Sequence, residues 1–443
     1  MLRSLVGSEM CIRDSAYSAQ DESLIKQVWW RIMPLILVTY LVSIIDKANV
    51  SFAKLQMVSQ IGLSETAYGL ASSLFFIGYL LFEIPSALAV HRYGAPKWFF
   101  RIILSWGIAT VLIAYVASGS AFAALRFLVG AAEAGLYPGV VYYLSVWFPR
   151  RYQIRALALL TLGSALGNML GSAFGGLLLS LDGLWGHAGW QWVFLVTGVM
   201  ALALAPVVLW LLPRNIEKAA FLAPQQRDRL AQMVAAEAPA ARHEGSVWAV
   251  LSDRKVLVLG AAYALLLTSL YGIIYWLPTV IKGFGVSNSL NGLLTMVPWA
   301  FTGALLLTVP RLLKSERHVQ LAAAVIGAVG GLAFLTSLLV ADPVMRYIAI
   351  VLGTPCTSLL LPCFWSLPSK YFSGRRAAAS LAAISCVGNL GGFLAQNAMP
   401  WLGKTLGHPS YAMLLPAFCL LLVGVIAFII RATTTHQPAP LAS

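Results

Sequence analysis

Arg155-Ala-Leu-Ala-Leu-Leu-Thr-Leu-Gly-Ser-Ala-Leu-Gly-Asn168 returns later in the chain as Arg376-Ala-Ala-Ala-Ser-Leu-Ala-Ala-Ile-Ser-Cys-Val-Gly-Asn389. The two segments align without gaps, and seven of their fourteen positions are identical. If the alignment is continued past the two segments, Gly171 is paired with Gly392. Each copy follows a basic loop and opens an apolar run of membrane-spanning length. The repeat predicts two related halves, although chance similarity between helices rich in small residues is the alternative.

The composition around this repeat is that of a membrane protein. Of 443 residues, 59% are hydrophobic and 10% are charged, whereas soluble domains carry about 25% charged residues. A helix needs about 20 residues to cross a hydrocarbon core of about 30 Å. Apolar runs of that length predict twelve spans, at 30–50, 66–90, 98–116, 121–147, 156–180, 190–212, 256–280, 291–312, 318–340, 344–367, 377–401 and 409–430. We therefore expect an all-α membrane protein with twelve transmembrane helices in two six-helix, pseudo-symmetric halves, an arrangement typical of transporters.

A polar stretch in the middle of the chain separates the two predicted halves, and the repeat copies open the fifth and eleventh spans. Residues 1–15 fit neither a signal peptide nor an amphipathic anchor, and we interpret them as a mis-called start or a sequencing artefact. The predicted parts are a cytoplasmic N-terminal segment (1–28), an N-terminal six-helix half (29–212), a cytoplasmic linker (213–255), a C-terminal six-helix half (256–431) and a cytoplasmic tail (432–443).

The net charge of +14 follows the predicted topology. With a cytoplasmic N-terminus, the predicted inner loops hold nineteen Lys and Arg residues and the outer loops hold four. This bias is the positive-inside rule, and it predicts a multi-pass protein of the inner (plasma) membrane with both termini in the cytoplasm. The lipid bilayer, rather than nucleic acid, is the partner that the charge pattern indicates. The five cysteines form no CxxC pair and join no His cluster, so we expect neither a metal site nor a disulfide.

Four charged residues interrupt the apolar runs: Asp46 and Lys47 in the first predicted span, and Arg126 and Glu133 in the fourth. A charge near the bilayer centre costs roughly 2.5–3.5 kcal/mol. Such residues must therefore face a protein interior or an aqueous cavity and compensate one another. Two acids with two bases predict a site for protons and anions. A buried ion-pair network that only orients helices is the alternative.

Asp46 and Glu133 are the candidates for proton coupling. With both ionised, the four charges cancel. One added proton leaves a net charge of +1, which favours an organic anion, so that proton and anion each improve the site for the other. This scheme needs no cofactor besides the proton as coupling ion.

Five motifs resemble those of one transporter family. They are Ile45-Asp-Lys-Ala-Asn-Val-Ser-Phe-Ala53, Phe75-Phe-Ile-Gly-Tyr-Leu-Leu-Phe-Glu-Ile-Pro85, Arg126-Phe-Leu-Val-Gly-Ala-Ala-Glu-Ala-Gly-Leu-Tyr-Pro-Gly139 followed by Trp147-Phe-Pro149, Cys363-Phe-Trp-Ser-Leu-Pro368 and Gly388-Asn-Leu-Gly-Gly-Phe393. Together they resemble the anion:cation symporter family of the major facilitator superfamily, over about residues 24–430. The resemblance implies the major facilitator fold and proton-coupled import of organic carboxylates such as sugar acids, tartrate-like diacids or aromatic acids. Lys47 departs from the usual Arg of the family, which removes a bidentate fork for a carboxylate.

Seven residues are expected to bind the substrate. They are Lys47, Tyr79, Arg126, Tyr137, Trp276, Trp365 and Asn389. Arg126 offers a planar fork and Lys47 a point charge for a carboxylate, although a salt bridge alone is an equal alternative for Lys47. A continuous helix over 121–147 would place Tyr137 on the face of Arg126 and Glu133.

Three of these residues have structural alternatives. The resemblance implies that Asn389 contacts the substrate, whereas hydrogen bonding between helices is the other reading. Trp276 and Trp365 are expected to wall the cavity, although Trp is also common at membrane interfaces.

The sequence shows no nucleophile–base pair, phosphate loop or metal cluster, so we do not expect an enzyme. A proton-coupled importer of a small organic anion, working by alternating access, is favoured. A proton-independent facilitator or exchanger, and a transporter-like receptor that binds without transporting, are the alternatives. A monomer can complete such a bundle. Which anion is carried stays open.

Overall fold

The computed structural model describes residues 17–237, 253–313, 316–368, 372 and 377–435, and every regular element within them is helical. The predicted segment 1–15 and most of the linker's second half lie outside these residues. The α-helices are α1 (Ala19–Gln60), α2 (Glu65–Tyr93), α3 (Ala95–Ile113), α4 (Gly119–Glu133), α5 (Leu136–Trp147), α6 (Arg150–Leu179), α7 (Gly189–Leu211), α8 (Pro224–Ala236), α9 (Arg254–Lys282), α10 (Asn288–Leu312), α11 (Glu316–Leu339), α12 (Pro343–Trp365), α13 (Ala377–Thr405) and α14 (Leu414–Thr435).

Within the described residues, eleven helical segments are long and apolar enough to cross a membrane, with α4 and α5 counted as one segment, Gly119–Trp147. They correspond to eleven of the twelve predicted spans. The remaining predicted span, 377–401, lies in α13, which has 29 residues but is not among the eleven. The all-helical, multi-pass architecture is thus confirmed, whereas the number twelve stays a prediction.

Contacts divide the chain into two compact units. Within the described residues, the first unit comprises residues 17–237 with Gly285–Met296, and the second comprises the described parts of 253–284 and 297–435.

In the first unit, the earlier copy of the repeat packs against α1 through glycines. They are Gly163 beside Leu37, Gly167 beside Ile44, Gly171 beside Ala48 and Gly175 beside Phe52. A Cβ at Gly167 would lie 2.7 Å from Ile44 Cβ, so a larger residue would force the helices apart. Glycines spaced four residues apart form one helical face and allow two backbones to approach closely.

In the second unit, the later copy packs against α9 in the same manner. A Cβ at Gly388 would lie 2.0 Å from the Tyr263 ring, and one at Gly391 would lie 2.3 Å from the carbonyl oxygen of Ala264. Gly388 is the repeat partner of Gly167. Each copy therefore packs against the first long helix of its own unit through small residues.

The continuous helix predicted over 121–147 is wrong in its middle. The chain leaves helical geometry at Ala134, and Gly135 adopts φ 83° and ψ −2° before α5 begins. Pro138 explains the break, because it lacks an N–H and its ring would clash with the carbonyl of residue 134 in a continued helix. A Cβ at Gly135 would lie 2.4 Å from Ser86 Oγ, so α2 also requires glycine at this position.

The beginning of the linker folds back onto the N-terminal end of α1. Arg229 of α8 donates two hydrogen bonds of 2.8 Å to the Asp21 carboxylate. Leu230 and Met233 on the same helix are buried. The described part of the predicted linker therefore contains a docked helix with its own apolar contacts.

Candidate functional site

The predicted site residues divide between the two units. Those of the first unit are Asp46, Lys47, Tyr79, Arg126, Glu133 and Tyr137, and those of the second are Trp276, Trp365 and Asn389. The charged residues thus all lie in the first unit.

Lys47 and Glu133 form an ion pair between α1 and the end of α4. Lys47 Nζ lies 2.8 Å from Glu133 Oε1, with the Glu133 side chain 1% exposed and the Lys47 side chain 17% exposed. The Ser43 hydroxyl donates to the same carboxylate oxygen, and Lys47 Nζ lies 3.5 Å from Ser43 Oγ. Ser43 precedes Lys47 by one helical turn, which brings both groups to the face that meets α4.

Asp46 points to a different neighbour, α3. Thr110 Oγ1 donates a hydrogen bond of 3.3 Å to Asp46 Oδ2, whereas Asp46 Oδ1 is buried and has no hydrogen-bond partner among the described residues. One turn further along α1, the fully buried amide of Asn49 likewise lacks partners for both polar atoms in the described part of the chain. A buried polar group without a partner is costly, so this stretch of α1 is suited to ordered water, protons or a polar ligand.

Arg126 is the least compensated charge of the set. It is 1% exposed, and its Nε and Nη2 atoms have no hydrogen-bond partner among the described residues. No ion pair of Arg126 is recorded there either. Its guanidinium carbon lies 4.8 Å from the centre of the Phe75 ring, an attractive but weak contact. A buried cation of this kind is costly unless an anion joins it.

The close crossing of α2 and α4 places Arg126 beside Phe75. A Cβ at Gly130 would lie 2.0 Å from the Phe75 carbonyl oxygen, and one at Gly78 would lie 2.2 Å from the Phe127 carbonyl oxygen. The two glycines let the helices meet backbone to backbone. Arg126 lies one turn before Gly130 and therefore faces α2.

Tyr79 and Tyr137 differ in their relation to this set. Lys47 Nζ lies 5.6 Å from the Tyr79 ring centre, so Tyr79 borders the ion pair. Tyr137 lies beyond the break after α4, with its ring 5.9 Å from that of Tyr40, and it is 43% exposed. The helical face predicted to join Tyr137 with Arg126 and Glu133 is therefore interrupted.

The predicted site residues of the second unit are two tryptophans and one asparagine. Trp276 on α9 is buried, and the Trp365 ring at the end of α12 lies 5.0 Å from that of Tyr263. Asn389 on α13 is partly exposed. Tyr263 also packs against Gly388, which precedes Asn389 on α13. Tyr263 is therefore a common neighbour of Trp365 and of the helical turn that contains Asn389.

Sequence reasoning missed four uncharged residues near the charges: Ser43, Phe75 and Thr110, which contact charged side chains, and Asn49, whose buried amide lies one turn beyond Asp46. Spacing could have indicated two of them, since Ser43 precedes Lys47 by four residues and Phe75 precedes Tyr79 by four. Thr110 could not be found in this way because it comes from α3, a helix without a charged motif.

The family of the chain is shown by comparison with known proteins. Residues 36–396 match the family model of the Major Facilitator Superfamily. The chain belongs to this superfamily. The predicted superfamily is therefore confirmed, and so is the prediction of a transporter rather than an enzyme.

Relatives named as transport proteins cover nearly the whole chain. A quinolone resistance transporter of Acinetobacter baumannii is 36% identical over 424 residues, covering 94% of this chain and 97% of the relative. A protein of Agrobacterium vitis named for tartrate transport is 36% identical over 414 residues, covering 93% and 92%. A metabolite transport protein of Pseudomonas putida, NicT, is 33% identical over 407 residues, covering 90% and 93%.

Solved structures share the major facilitator fold. A bacterial homologue of the human lysosomal transporter Spinster, in an inward-facing and occupied conformation, gives a TM-score of 0.70 at 16% identity and covers 92% of this chain and 98% of that one. The xylose transporter XylE from E. coli gives 0.69 at 14% identity, covering 95% and 99%. At these identities the likeness concerns the fold alone.

Proposed function

We propose that this transporter imports a small organic anion, a carboxylate, by proton symport with alternating access. The observation that carries the proposal is Arg126, a buried guanidinium with unpartnered nitrogen atoms and no recorded ion pair among the described residues. A planar, forked cation of this kind matches a carboxylate group. In line with the loop charges, we place the protein in the plasma membrane with both termini in the cytoplasm.

The proton enters the scheme through Glu133. While Glu133 is ionised, it holds Lys47 at 2.8 Å, and a second carboxylate would have to compete for the ammonium group. A proton on Glu133 weakens this pair and leaves Lys47 available to the anion. Anion binding in turn favours the protonated site, because the two ligands are linked reciprocally. In this scheme Lys47 forms the salt bridge in one state of the transport cycle and contacts the substrate in the next, so both alternatives for Lys47 occur in turn.

Asp46 is the second proton carrier of the proposal. Its free oxygen, Oδ1, is buried, and the charges of Glu133, Arg126 and Lys47 act on it. The carboxylates of Asp46 and Glu133 balance the two cations, so that either proton leaves a net charge of +1. An organic monoanion then restores neutrality in the buried site.

The names of two relatives support a carboxylate substrate. Tartrate, in the name of the Agrobacterium vitis relatives, is a hydroxy diacid. Sugar acids, hydroxy diacids and aromatic acids are therefore the compounds to test first.

Uptake into proteoliposomes tests the coupling. With an inward proton gradient and labelled tartrate or a screened acid, Asp46→Asn and Glu133→Gln should each lose uphill accumulation. Counterflow at equal pH should survive in at least one of them, most plainly in Glu133→Gln, because a neutral amide imitates the protonated acid. Glu217→Gln is the matched control, since Glu217 is an exposed acid of the same unit whose carboxylate accepts a hydrogen bond of 3.3 Å from Asn215 Nδ2. Full accumulation in both variants would exclude proton coupling through these two carboxylates.

A second candidate is a proton-independent organic-anion exchanger. The completed Lys47–Glu133 pair favours it, because this pair is neutral without any added proton. Substrate-driven proton influx in the wild-type protein separates the two candidates: the symporter acidifies the vesicle lumen when substrate is added, and the exchanger does not.

A further inference from the structure

A second basic site lies away from the buried charges, at the N-terminal end of α1. A cavity of about 690 Å³ opens between the first three turns of α1 and the first turn of α6. Its lining includes Lys26 from α1 with Arg151 and Arg155 from α6, against one acid, Glu22. The volume falls in the range of about 300–1,000 Å³ found for small-molecule sites.

The three cations of this cavity outnumber its one acid. All three are exposed, and no ion pair is recorded for any of them within the described residues. Arg229, in contrast, lies nearby in the fold and is paired with Asp21 at 2.8 Å. Like charges gathered around one concave surface repel each other and attract anions.

Aromatic side chains place the cavity at the membrane interface. Trp29 lines it, and the adjacent Trp30 is 68% exposed. Trp and Tyr gather where the hydrocarbon meets the headgroups. The 42 residues of α1 span about 63 Å at 1.5 Å per residue, about twice the hydrocarbon thickness. The first turns of α1 therefore extend beyond the hydrocarbon, at the level of the lipid phosphates.

Two ring contacts hold the basic and aromatic groups in place. The Arg155 guanidinium carbon lies 5.1 Å from the Tyr152 ring centre, and the Trp29 ring lies 5.6 Å from that of Phe148. The Tyr152 residue is itself buried, with 8% of its surface exposed. A guanidinium stacked on a fixed ring keeps its N–H groups at the edge, where they match phosphate oxygens.

We propose that this cavity binds the phosphate of an anionic phospholipid headgroup. Basic pockets between the cytoplasmic ends of transmembrane helices are suited to such headgroups, and the charge pattern of the loops predicts that this end of α1 faces the cytoplasm. Free phosphate shares the chemistry of the headgroup, but the tryptophans at the cavity favour a ligand that lies in the interface.

The test uses the delipidated, full-length protein in detergent with three probes: dioctanoyl phosphatidylglycerol, dioctanoyl phosphatidylcholine and inorganic phosphate. Binding is counted by native mass spectrometry. The double variant Arg151→Gln/Arg155→Gln removes both arginines, and Lys26→Gln removes the lysine alone. Arg92→Gln is the matched control, because Arg92 is exposed and stacked on its neighbour Tyr93 at 5.5 Å but does not line the cavity.

We expect phosphatidylglycerol to bind the wild-type protein and the Arg92→Gln variant equally, with at least about a tenfold loss in the double variant, the equivalent of roughly 1.4 kcal/mol. Lys26→Gln, which leaves the α6 arginines in place, should show a smaller loss and covers the case in which the double variant does not fold. Equal phosphatidylglycerol binding in all variants would overturn the proposal. Equal binding of phosphatidylcholine and phosphatidylglycerol to the wild-type protein would show that the cavity does not select an anionic headgroup, and would also overturn the proposal. Inorganic phosphate that displaces the lipid at equal concentration would assign the site to a soluble anion instead.

Discussion

The two units pack their repeats alike but bury polarity differently. In the first unit, Asp46, Arg126 and Glu133 are at most 3% exposed. Among the described residues of the second unit, no Asp, Glu, Lys or Arg is buried, and the buried polar groups there are hydroxyls and amides such as Thr302, Thr354 and Gln396.

The difference suggests a division of labour within a shared architecture. Each repeat copy lies on the first long helix of its unit through glycines, so the packing scheme does not require charge. We infer that the first unit handles the charge of proton and anion, and that the second contributes shape and neutral hydrogen bonds. Each variant below tests one side of this comparison.

The largest effect is expected from Arg126→Ala. Loss of a buried, charge-assisted contact costs about 3–5 kcal/mol, which corresponds to a loss of affinity of roughly 100-fold or more. Arg126→Lys should recover only part of it, because a point charge cannot reproduce the fork. Calorimetric titration of the purified protein with its best organic acid measures the affinity.

Arg346→Ala in the second unit is the control for this variant. Arg346 is partly buried, and it already donates to the Ser337 carbonyl at 3.1 Å and to Ser410 Oγ at 2.9 Å. Its loss should lower stability and leave anion affinity unchanged. Equal loss of affinity in both variants would remove the distinction between the units.

Two glycine variants separate packing from charge. Gly130→Ala would place a Cβ 2.0 Å from the Phe75 carbonyl oxygen, and Gly391→Ala would place one 2.3 Å from the Ala264 carbonyl oxygen. Since backbone cannot yield easily, we expect each variant to lose about 1–3 kcal/mol of stability, seen as a lower melting temperature in detergent. Gly130→Ala should also weaken anion binding, and more strongly than Gly391→Ala does, because it moves the helix that carries Arg126, whereas Gly391 lies on the helix of the uncharged Asn389.

Gly163→Ala is the matched control for this pair. A Cβ at Gly163 would lie 2.8 Å from the terminal Cδ1 of Leu37 and 3.6 Å from Tyr40 Cδ1. The second distance is an ordinary contact, and the flexible end of Leu37 can move aside. A melting temperature close to wild type is expected. If Gly391→Ala impaired anion binding as strongly as Gly130→Ala, charge handling would not belong to one unit.

Much of this architecture could be predicted from the sequence, since apolar length determines a span. The four charges within the spans were found because charge stands out against apolar sequence. The break after Glu133 was not predicted, although Gly135 and Pro138 are typical of helix ends. The spacing of Arg126, Glu133 and Tyr137 fits one continuous helix, and that spacing was given more weight than the two helix-breaking residues. Thr110 was missed because pairing between helices depends on tertiary contacts that spacing along one helix does not encode.

Asn389→Ala tests the neutral chemistry of the second unit. If the amide gives the substrate one hydrogen bond, affinity should fall about tenfold, equal to roughly 1.4 kcal/mol, with the number of protons per substrate unchanged. Asn397→Ala on the same helix is the control, because its side chain donates to the Phe393 carbonyl at 2.8 Å. A changed proton stoichiometry in Asn389→Ala would extend charge coupling into the second unit.

The smallest effect is expected from Asp21→Asn, which tests whether charge in the first unit matters wherever it lies. Asp21 accepts two hydrogen bonds of 2.8 Å from Arg229, a geometry better than that of the Lys47–Glu133 pair. The Arg229 side chain is nevertheless 54% exposed, and solvent screens such pairs to about 1 kcal/mol or less. We therefore expect a melting temperature a few degrees lower at most, with Glu22→Gln as the control at an exposed neighbour. Affinity for the organic acid should not change, because burial rather than ion pairing makes Arg126 and Glu133 responsive to an anion. A loss of affinity in Asp21→Asn comparable to that in Arg126→Ala would contradict this distinction and would connect the docked helix α8 to the transport site.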